Sequence, residues 1–499
     1  MDLFLLLLTG PLAIVFLIFL YVRVLQYINR FANSVPFGGM SRYPLFINDW
    51  KLLRASPVQK FEILAETFAQ HDRLFRVWFG PRMAFATCHP DVIQAILTHP
   101  ECVDKPFFYR FARLDHGLLV GRAHLWRRQR KQLNPTFNLR ILTSFLPIFE
   151  KCCQQMVNCL EPFANGDRID ILQHTTRCTL NMILQTSLDT DSLSNEESAS
   201  LVKHIKRFFF ISTNRVLNLH HYWEPVYRLT KNFAMESESY GVILGATRKI
   251  LNIKKNEMKD KPLNENDLEY KKPRIYMDQL LKLSDTMSDK EIMHNVCTMI
   301  AAGNDTSGQL MAYACLLLGM YPHIQEKVYS EIIELIPLTR KESISVEQLK
   351  TLTYTEMFMF ECLRLCPIAP NIARLNMTPI ELEGITIPAG HIFFISFYSL
   401  HRRKDIWGPD AEQFDPERFS PERSVGRHLY AFLPFSGGSR NCIGWRYAMM
   451  SMKLMLVYLL REYRFRTDLK LSDLKFKFDM MLVLVFEHWV KIEKRRYNC

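Results

Sequence analysis

Phe435-Ser-Gly-Gly-Ser-Arg-Asn-Cys-Ile-Gly444 decides the fold. It sets Cys442 between Arg440, two residues before it, and Gly444, two residues after. Gly437, Gly438 and Gly444 free the backbone to turn tightly and let a flat ligand come close. A cysteine in such a loop, with an arginine beside it, suits a thiolate held next to a metal. Taken alone, the loop also reads as a glycine-rich turn carrying an ordinary buried cysteine. Against that stand the five fixed positions of Phe-x-x-Gly-x-Arg-x-Cys-x-Gly. At about one chance in twenty each, accidental agreement in a chain this long is on the order of one in several thousand.

The next stretch outward is a long helix. Ser288 with Glu291 three residues on is a capping box. From Asp289 the sequence predicts helix until Gly319 and Pro322 stop it, roughly 45 Å at the usual rise. A helix this apolar on all sides must be buried. In its middle, Ala301-Ala-Gly-Asn-Asp-Thr306 places small residues, which let the backbone approach a flat cofactor, before an acid and an alcohol. A buried Asp–Thr pair is costly unless it is hydrogen-bonded or useful. The plainer alternative is a threonine bonding back to its own helix. Further along, Glu361 and Arg364 lie one helical turn apart and can pair.

These stretches resemble the cytochrome P-450 superfamily, whose haem iron takes a cysteine thiolate as axial ligand. The decapeptide around Cys442, with Phe435 and Gly444 at its ends, resembles the haem-binding loop. Ala302-Gly-Asn-Asp-Thr-Ser307 resembles the oxygen-activation motif, Glu361-Cys-Leu-Arg364 the Glu-x-x-Arg helix, and Pro416-Glu-Arg-Phe419 the segment that locks onto it. Trp126-Arg-Arg-Gln-Arg130 resembles the helix whose arginine reaches a haem propionate. Five matches in order span residues 126–444.

The resemblance implies a mainly α fold with small β-sheets, haem b lying between the long central helix and the cysteine loop. It implies Cys442 as iron ligand, Arg130, Arg374 and Arg440 as propionate ligands with Trp126 beside them, and Asp305 and Thr306 as the pair that delivers protons to bound oxygen. Glu361, Arg364 and Arg418 would form a structural triad fixing the cysteine loop. Overall spacing is similar to the microsomal fatty-acid ω-hydroxylase clan, insect-type members included. Many members of that branch carry a glutamate just before the glycine, which forms an ester to haem. Here that position is Ala302, so haem bound without a covalent link is expected, and strict terminal-carbon selectivity is not implied.

Composition bounds the rest. The 499 residues carry no internal repeat or low-complexity linker, and a 48% hydrophobic fraction is enough for a large core. The formal charge of +12 points to an anionic partner. No zinc-ligand spacing or RNA-binding signature accompanies it, so an acidic redox protein or an anionic membrane fits better than nucleic acid. The 12 cysteines are scattered and read as reduced core thiols on the cytosolic side.

Leu3 to Val22 is an uncharged run long enough to cross a bilayer. Asp2 precedes it and Arg23 and Arg30 follow, which favours a retained anchor, with the catalytic domain facing the cytosol, over a cleaved signal. The expected layout is an anchor over 1–30, a Pro/Gly hinge over 31–45 and a catalytic domain over 46–499. Leu74 to Thr87 reads as a hairpin, and His89-Pro-Asp91 opens a helix. Phe107, Phe108 and Phe111 read as pocket roof by resemblance, or as a satellite core cluster. Arg127 and Arg128, beside Arg130, suggest a docking patch for a redox partner.

No dinucleotide-binding fingerprint follows a strand, so electrons come from outside. The resemblance implies NADPH–cytochrome P-450 reductase of the endoplasmic reticulum membrane as donor, with cytochrome b5 as an optional second one. The expected activity is hydroxylation of a hydrophobic substrate (fatty acid, hormone-like lipid or foreign lipophile) using dioxygen. Two other readings are an isomerase or dehydratase of the same fold, and a haem-based sensor; the Asp305–Thr306 pair counts against both.

Overall fold

The computed structural model describes residues 54–79, 82–190, 192–260, 275–337 and 343–495, together with 13, 15–21, 23, 24, 38 and 39. The expected anchor over Leu3–Val22 and the hinge lie mostly outside the described residues. The described part of the anchor is helical with exposed apolar side chains. Among the described residues no helix is long and apolar enough to cross a membrane.

The elements that position the site are β1 (Leu74–Phe79), β2 (Arg82–Thr87), α1 (Ala123–Leu133), β3 (Ile169–Asp170), α2 (Ile171–Ser187), α3 (Asn195–Leu217), α4 (Lys231–Asp260), α5 (Asp289–Met320), α6 (Thr353–Leu365), β4 (Asn371–Leu375), β5 (Ile392–Ser396), α7 (Trp445–Glu462), β6 (Tyr463–Arg466) and β7 (Trp489–Lys494). Helices dominate. The largest sheet has four strands in the order β1-β2-β5-β4, parallel only between β2 and β5. A second sheet runs β3-β7-β6, and two short hairpins complete the strands.

The long helix α5 is the axis of the core. Its capping box forms as expected: the Glu291 N–H donates to Ser288 Oγ at 3.3 Å, and the Ser288 N–H to Glu291 Oε2 at 2.8 Å. Between residues 294 and 319 only Ala302, Gly303 and Thr306 keep part of their surface accessible; every other position is buried. The helix α2 lies against it, with Thr175 and Thr179 hydroxyls donating to the Gly308 and Asn304 carbonyls. A Cβ on Gly303 would come within 2.5 Å of Ile183, and one on Gly308 within 2.7 Å of Thr176. These glycines therefore let two helices approach each other. Gly303 thus faces α2 on this side.

The Phe107–Phe111 segment packs against the largest sheet and Tyr222. Phe108 stacks on Phe394 of β5 with centroids 6.0 Å apart, and Phe107 and Phe111 meet Tyr222 at 5.5 Å. These contacts are those of the satellite core cluster. All 11 described cysteines are free, and nine of them are buried.

Candidate active site

Cys442 sits at the end of a loop that the backbone closes on itself: its N–H donates to the Phe435 carbonyl at 2.9 Å. Gly438 has φ of +67°, and a Cβ there would fall 1.9 Å from the Leu97 carbonyl oxygen, so no other residue fits. Ser436 also sits in the left-handed region, at φ 60°. Cys442 is accessible, yet protein encloses it on nearly every side, so the thiol opens into a recess rather than onto the outer surface. Burial pushes the thiol up, against a Gly444 N–H and the nearby Arg130 guanidinium, which favour the thiolate. The protein thus holds the sulfur as a thiol until a metal deprotonates it.

The loop is anchored from below by a network in which nearly every polar group is paired, Arg418 Nε and His401 Nδ1 excepted. Arg364 donates to Glu361 through Nε at 2.6 Å and Nη2 at 2.7 Å, both side chains having no exposed surface. Its other N–H groups reach the carbonyls of His401, Ala411 and Gln413. Arg418 Nε stands 3.6 Å from Glu361 and spends its other donors on Asp410 and the Trp407 carbonyl. His401, held neutral with its pKa lowered to about 3 by burial and Arg364, accepts the Leu433 N–H at 3.0 Å. The chain of contacts thereby runs from α6 to the residue two before Phe435.

A second charged cluster is the opposite. Arg374 on β4 is 4% exposed and donates to the Ala373 carbonyl at 3.1 Å. Arg440 lies with its Cζ 4.8 Å from the Trp126 ring and donates to the Gly121 carbonyl, while its Nε and Nη1 are buried without a partner. Lys105 sets its Nζ 4.6 Å from the Tyr109 ring, and the Tyr109 hydroxyl accepts the Ala373 N–H at 3.0 Å. Among the described residues no carboxylate stands within ion-pair distance of these three cations. Burial, then mutual repulsion, lowers the pKa of Lys105 well below its usual value and that of Arg440 to about 9. Burial lowers Arg374 too. Buried cations without counter-ions are costly, and a bound dianion removes that cost.

One arginine lies apart from the other two that the resemblance implies as propionate ligands. Arg130 does not join the cation cluster. It donates to Asn134 at 2.7 Å and to the Asn441 carbonyl and side chain at 2.7 and 2.8 Å, which puts it beside Cys442. Arg440 lies against Trp126, on the side of Arg374. Lys105 and Tyr109 were not singled out from the sequence. They carry no motif, and only the backbone pairing of Asp104 with Leu375 brings them to Arg374.

On the long helix, the half-buried Thr306 donates from Oγ1 to the Ala302 carbonyl at 2.7 Å. Asp305 is 1% exposed, and neither carboxylate oxygen has a partner. Burial pushes its pKa up to about 6. An apolar recess beside this helix is walled by Phe208, Phe209, Tyr240, Ile243 and Ala301.

The residues fit haem b: an enclosed thiol, a helix face left partly accessible at Ala302 and Thr306, and cations without a carboxylate in ion-pair range among the described residues for two carboxylates. Ala302 offers no side-chain carboxylate for an ester. A family profile described as cytochrome P-450 matches residues 38–487. The chain is 31% identical over 463 residues to cytochrome P-450 4c21 of Blattella germanica, covering 91% of this chain and 92% of that protein. It is 31% identical over 436 residues to the probable cytochrome P-450 313a2 of Drosophila melanogaster, covering 85% and 87%. It is 29% identical over 489 residues to human cytochrome P-450 4V2, covering 95% and 92%. An enclosed cysteine loop, a buried oxygen-side helix and kinship along nearly the whole length make one case: this chain belongs to the cytochrome P-450 family, and is a haem-b monooxygenase of it.

Proposed function

We propose that the enzyme hydroxylates a hydrophobic small molecule, is anchored by residues 1–30 in the endoplasmic reticulum membrane through the 31–45 hinge, and works through a 46–499 catalytic domain facing the cytosol. NADPH–cytochrome P-450 reductase is the electron donor, with cytochrome b5 as an optional second donor. The observation that carries the site assignment is a set of three cations, Arg374 buried and Lys105 and Arg440 half-buried, with no carboxylate in ion-pair range among the described residues.

Haem, when bound, supplies activation of dioxygen. Cys442 provides the sulfur ligand. Arg130, beside that sulfur, favours its anionic form and fixes Asn441. Lys105, Arg374 and Arg440 hold the two carboxylates as charge-assisted hydrogen-bond donors, and Trp126 supports Arg440 from below. Glu361, Arg364 and Arg418 keep the loop in place and do no chemistry. Thr306 orients a proton at Oγ1, and Asp305, poised near pH 6, resupplies it. Phe208, Phe209 and Ile243 exclude water and favour an apolar substrate.

Reconstitution with the reductase tests the reading. Dioxygen uptake driven by NADPH, with matching formation of a hydroxylated product from one of a panel of lipids, is expected. Product formed with no dioxygen consumed would establish the isomerase reading instead. Spectral titration of the haem spin state over the same panel identifies the substrate class.

A further inference from the structure

The apolar recess beside α5 is nearly closed. Leu114, which follows the Phe107–Ala112 turn, faces Phe208 and Phe209 of α3, Tyr240 and Ile243 of α4, and Ala301 of α5. The free volume between them is about 10 Å³, no more than a single water needs. An apolar ligand therefore enters only when these walls part.

What joins the walls is polar. Glu236 of α4 shows no exposed surface, and side chains from other segments converge on it. Arg113 Nε stands 2.6 Å from its Oε1, close but not aligned as a hydrogen bond. The buried Tyr227 hydroxyl, on the short helix Glu224–Arg228, donates to Oε2, and Arg215 Nη1 of α3 lies 3.9 Å from the same oxygen. Neighbouring contacts extend the join. Arg215 sets its Cζ 4.3 Å from the Phe111 ring and 3.8 Å from the Tyr227 ring. The Tyr240 hydroxyl donates to the Arg113 carbonyl at 3.2 Å, and the Ser212 hydroxyl to the Phe111 carbonyl at 3.3 Å. Arg113 itself has φ of 51°, a left-handed turn that an arginine adopts at a cost, directly before Leu114.

The cluster is asymmetric. Glu236 is fully enclosed, whereas the Arg113 side chain is 28% exposed. Arg215 also holds Glu224 and the His221 carbonyl. Parting Arg113 from Glu236 thus leaves Arg113 to water, and leaves Glu236 with Tyr227 and Arg215. This contact can break without stranding a bare buried charge, which the enclosed Glu361–Arg364 pair cannot do.

We propose that Glu236 is a specificity-determining residue: by holding Arg113 it fixes Leu114 against the α3 and α4 walls and sets how bulky a ligand reaches the haem. This rests on the reading of the recess as the substrate site given above. Glu236 acts through Arg113 and is a positioning residue.

Imidazole ligands of haem iron test this on the full-length holoenzyme with no knowledge of the substrate. Free imidazole is the small probe, and clotrimazole, the same ring carrying a triarylmethyl group, is the bulky one. The Soret shift on nitrogen ligation, followed by stopped flow, gives both association rates. Glu236→Gln is expected to speed clotrimazole binding by about tenfold, the low end for losing a charged contact, with imidazole little changed. Arg113→Met does the same, and the double variant adds nothing, because each removes one shared contact. Arg113→Lys keeps the slow rate. Lys249→Gln breaks an exposed pair with Glu197 across α3 and α4, and leaves both rates alone. A clotrimazole rate unmoved by Glu236→Gln and Arg113→Met, or an equal gain for imidazole, overturns the proposal. Phe209→Ala widens the recess itself and tests the underlying reading. If it too leaves clotrimazole binding unmoved, the recess is not the ligand's path and that reading fails. If it speeds clotrimazole while Glu236→Gln does not, only the role of Glu236 fails.

Discussion

Two buried charged clusters hold the candidate haem site, and they are built on opposite terms. Around Glu361 and Arg364 almost every donor has an acceptor: Arg364 alone makes five hydrogen bonds while showing no surface. Around Arg374, Arg440 and Lys105 donors outnumber acceptors, and among the described residues no carboxylate stands in ion-pair range of the three cations. In the first cluster the charges are paired within the protein, although Arg418 Nε and His401 Nδ1 lack a hydrogen-bond partner. The second is complete only with an added dianion. A saturated buried network therefore marks scaffold, and an unsaturated one marks a binding site.

That contrast has consequences of opposite sign. Arg364→Ala strands Glu361 in the core, and stability is expected to fall by about 3–5 kcal/mol, with or without haem. Denaturant unfolding of both forms checks it, and a loss confined to the holoprotein would break the comparison. Arg440→Leu removes one of three repelling cations. The haem-free protein is expected to melt higher, while haem affinity falls roughly tenfold to a hundredfold for the loss of a charged hydrogen bond worth about 1.5–3 kcal/mol. Haem titration together with apoprotein melting decides it. Equal destabilisation of both forms would place Arg440 in the scaffold instead.

Smaller effects sharpen the boundary between the clusters. Gly303→Ala pushes against Ile183, and a cost of about 1–3 kcal/mol is expected, relieved by adding Ile183→Ala. If the double variant gains nothing, Gly303 serves the cofactor side after all. The smallest change concerns electron supply. Arg128 pairs with Glu291, whereas Arg127 bonds the Pro100 carbonyl and keeps its charge unneutralised by a carboxylate. Stopped-flow reduction at low salt is expected to slow more in Arg127→Glu than in Arg128→Glu, and the difference should shrink as salt is added. Equal rates would remove the docking patch from α1.

Much of this was legible in the sequence because its signals are local. The capping box at Ser288 and Glu291, the Glu361–Arg364 spacing and the loop around Cys442 each depend on residues within a few positions of one another. What escaped depends on pairings across the chain. Lys105 reaches Arg374 only because Asp104 pairs with Leu375, some 270 residues apart. Arg130 and Arg440 differ in destination because Asn441 captures one and Trp126 stacks under the other, a choice that spacing does not encode. Gly303 looked like a cofactor contact because nothing in its neighbourhood names Ile183 as the side chain pressing on it.

All of it depends on sulfur from Cys442 being bonded to haem iron. The ferrous protein under carbon monoxide should show the red-shifted Soret band of a thiolate-ligated haem, and Cys442→Ser should lose that band. A wild-type protein without the band, or a serine variant that keeps it, would contradict the account.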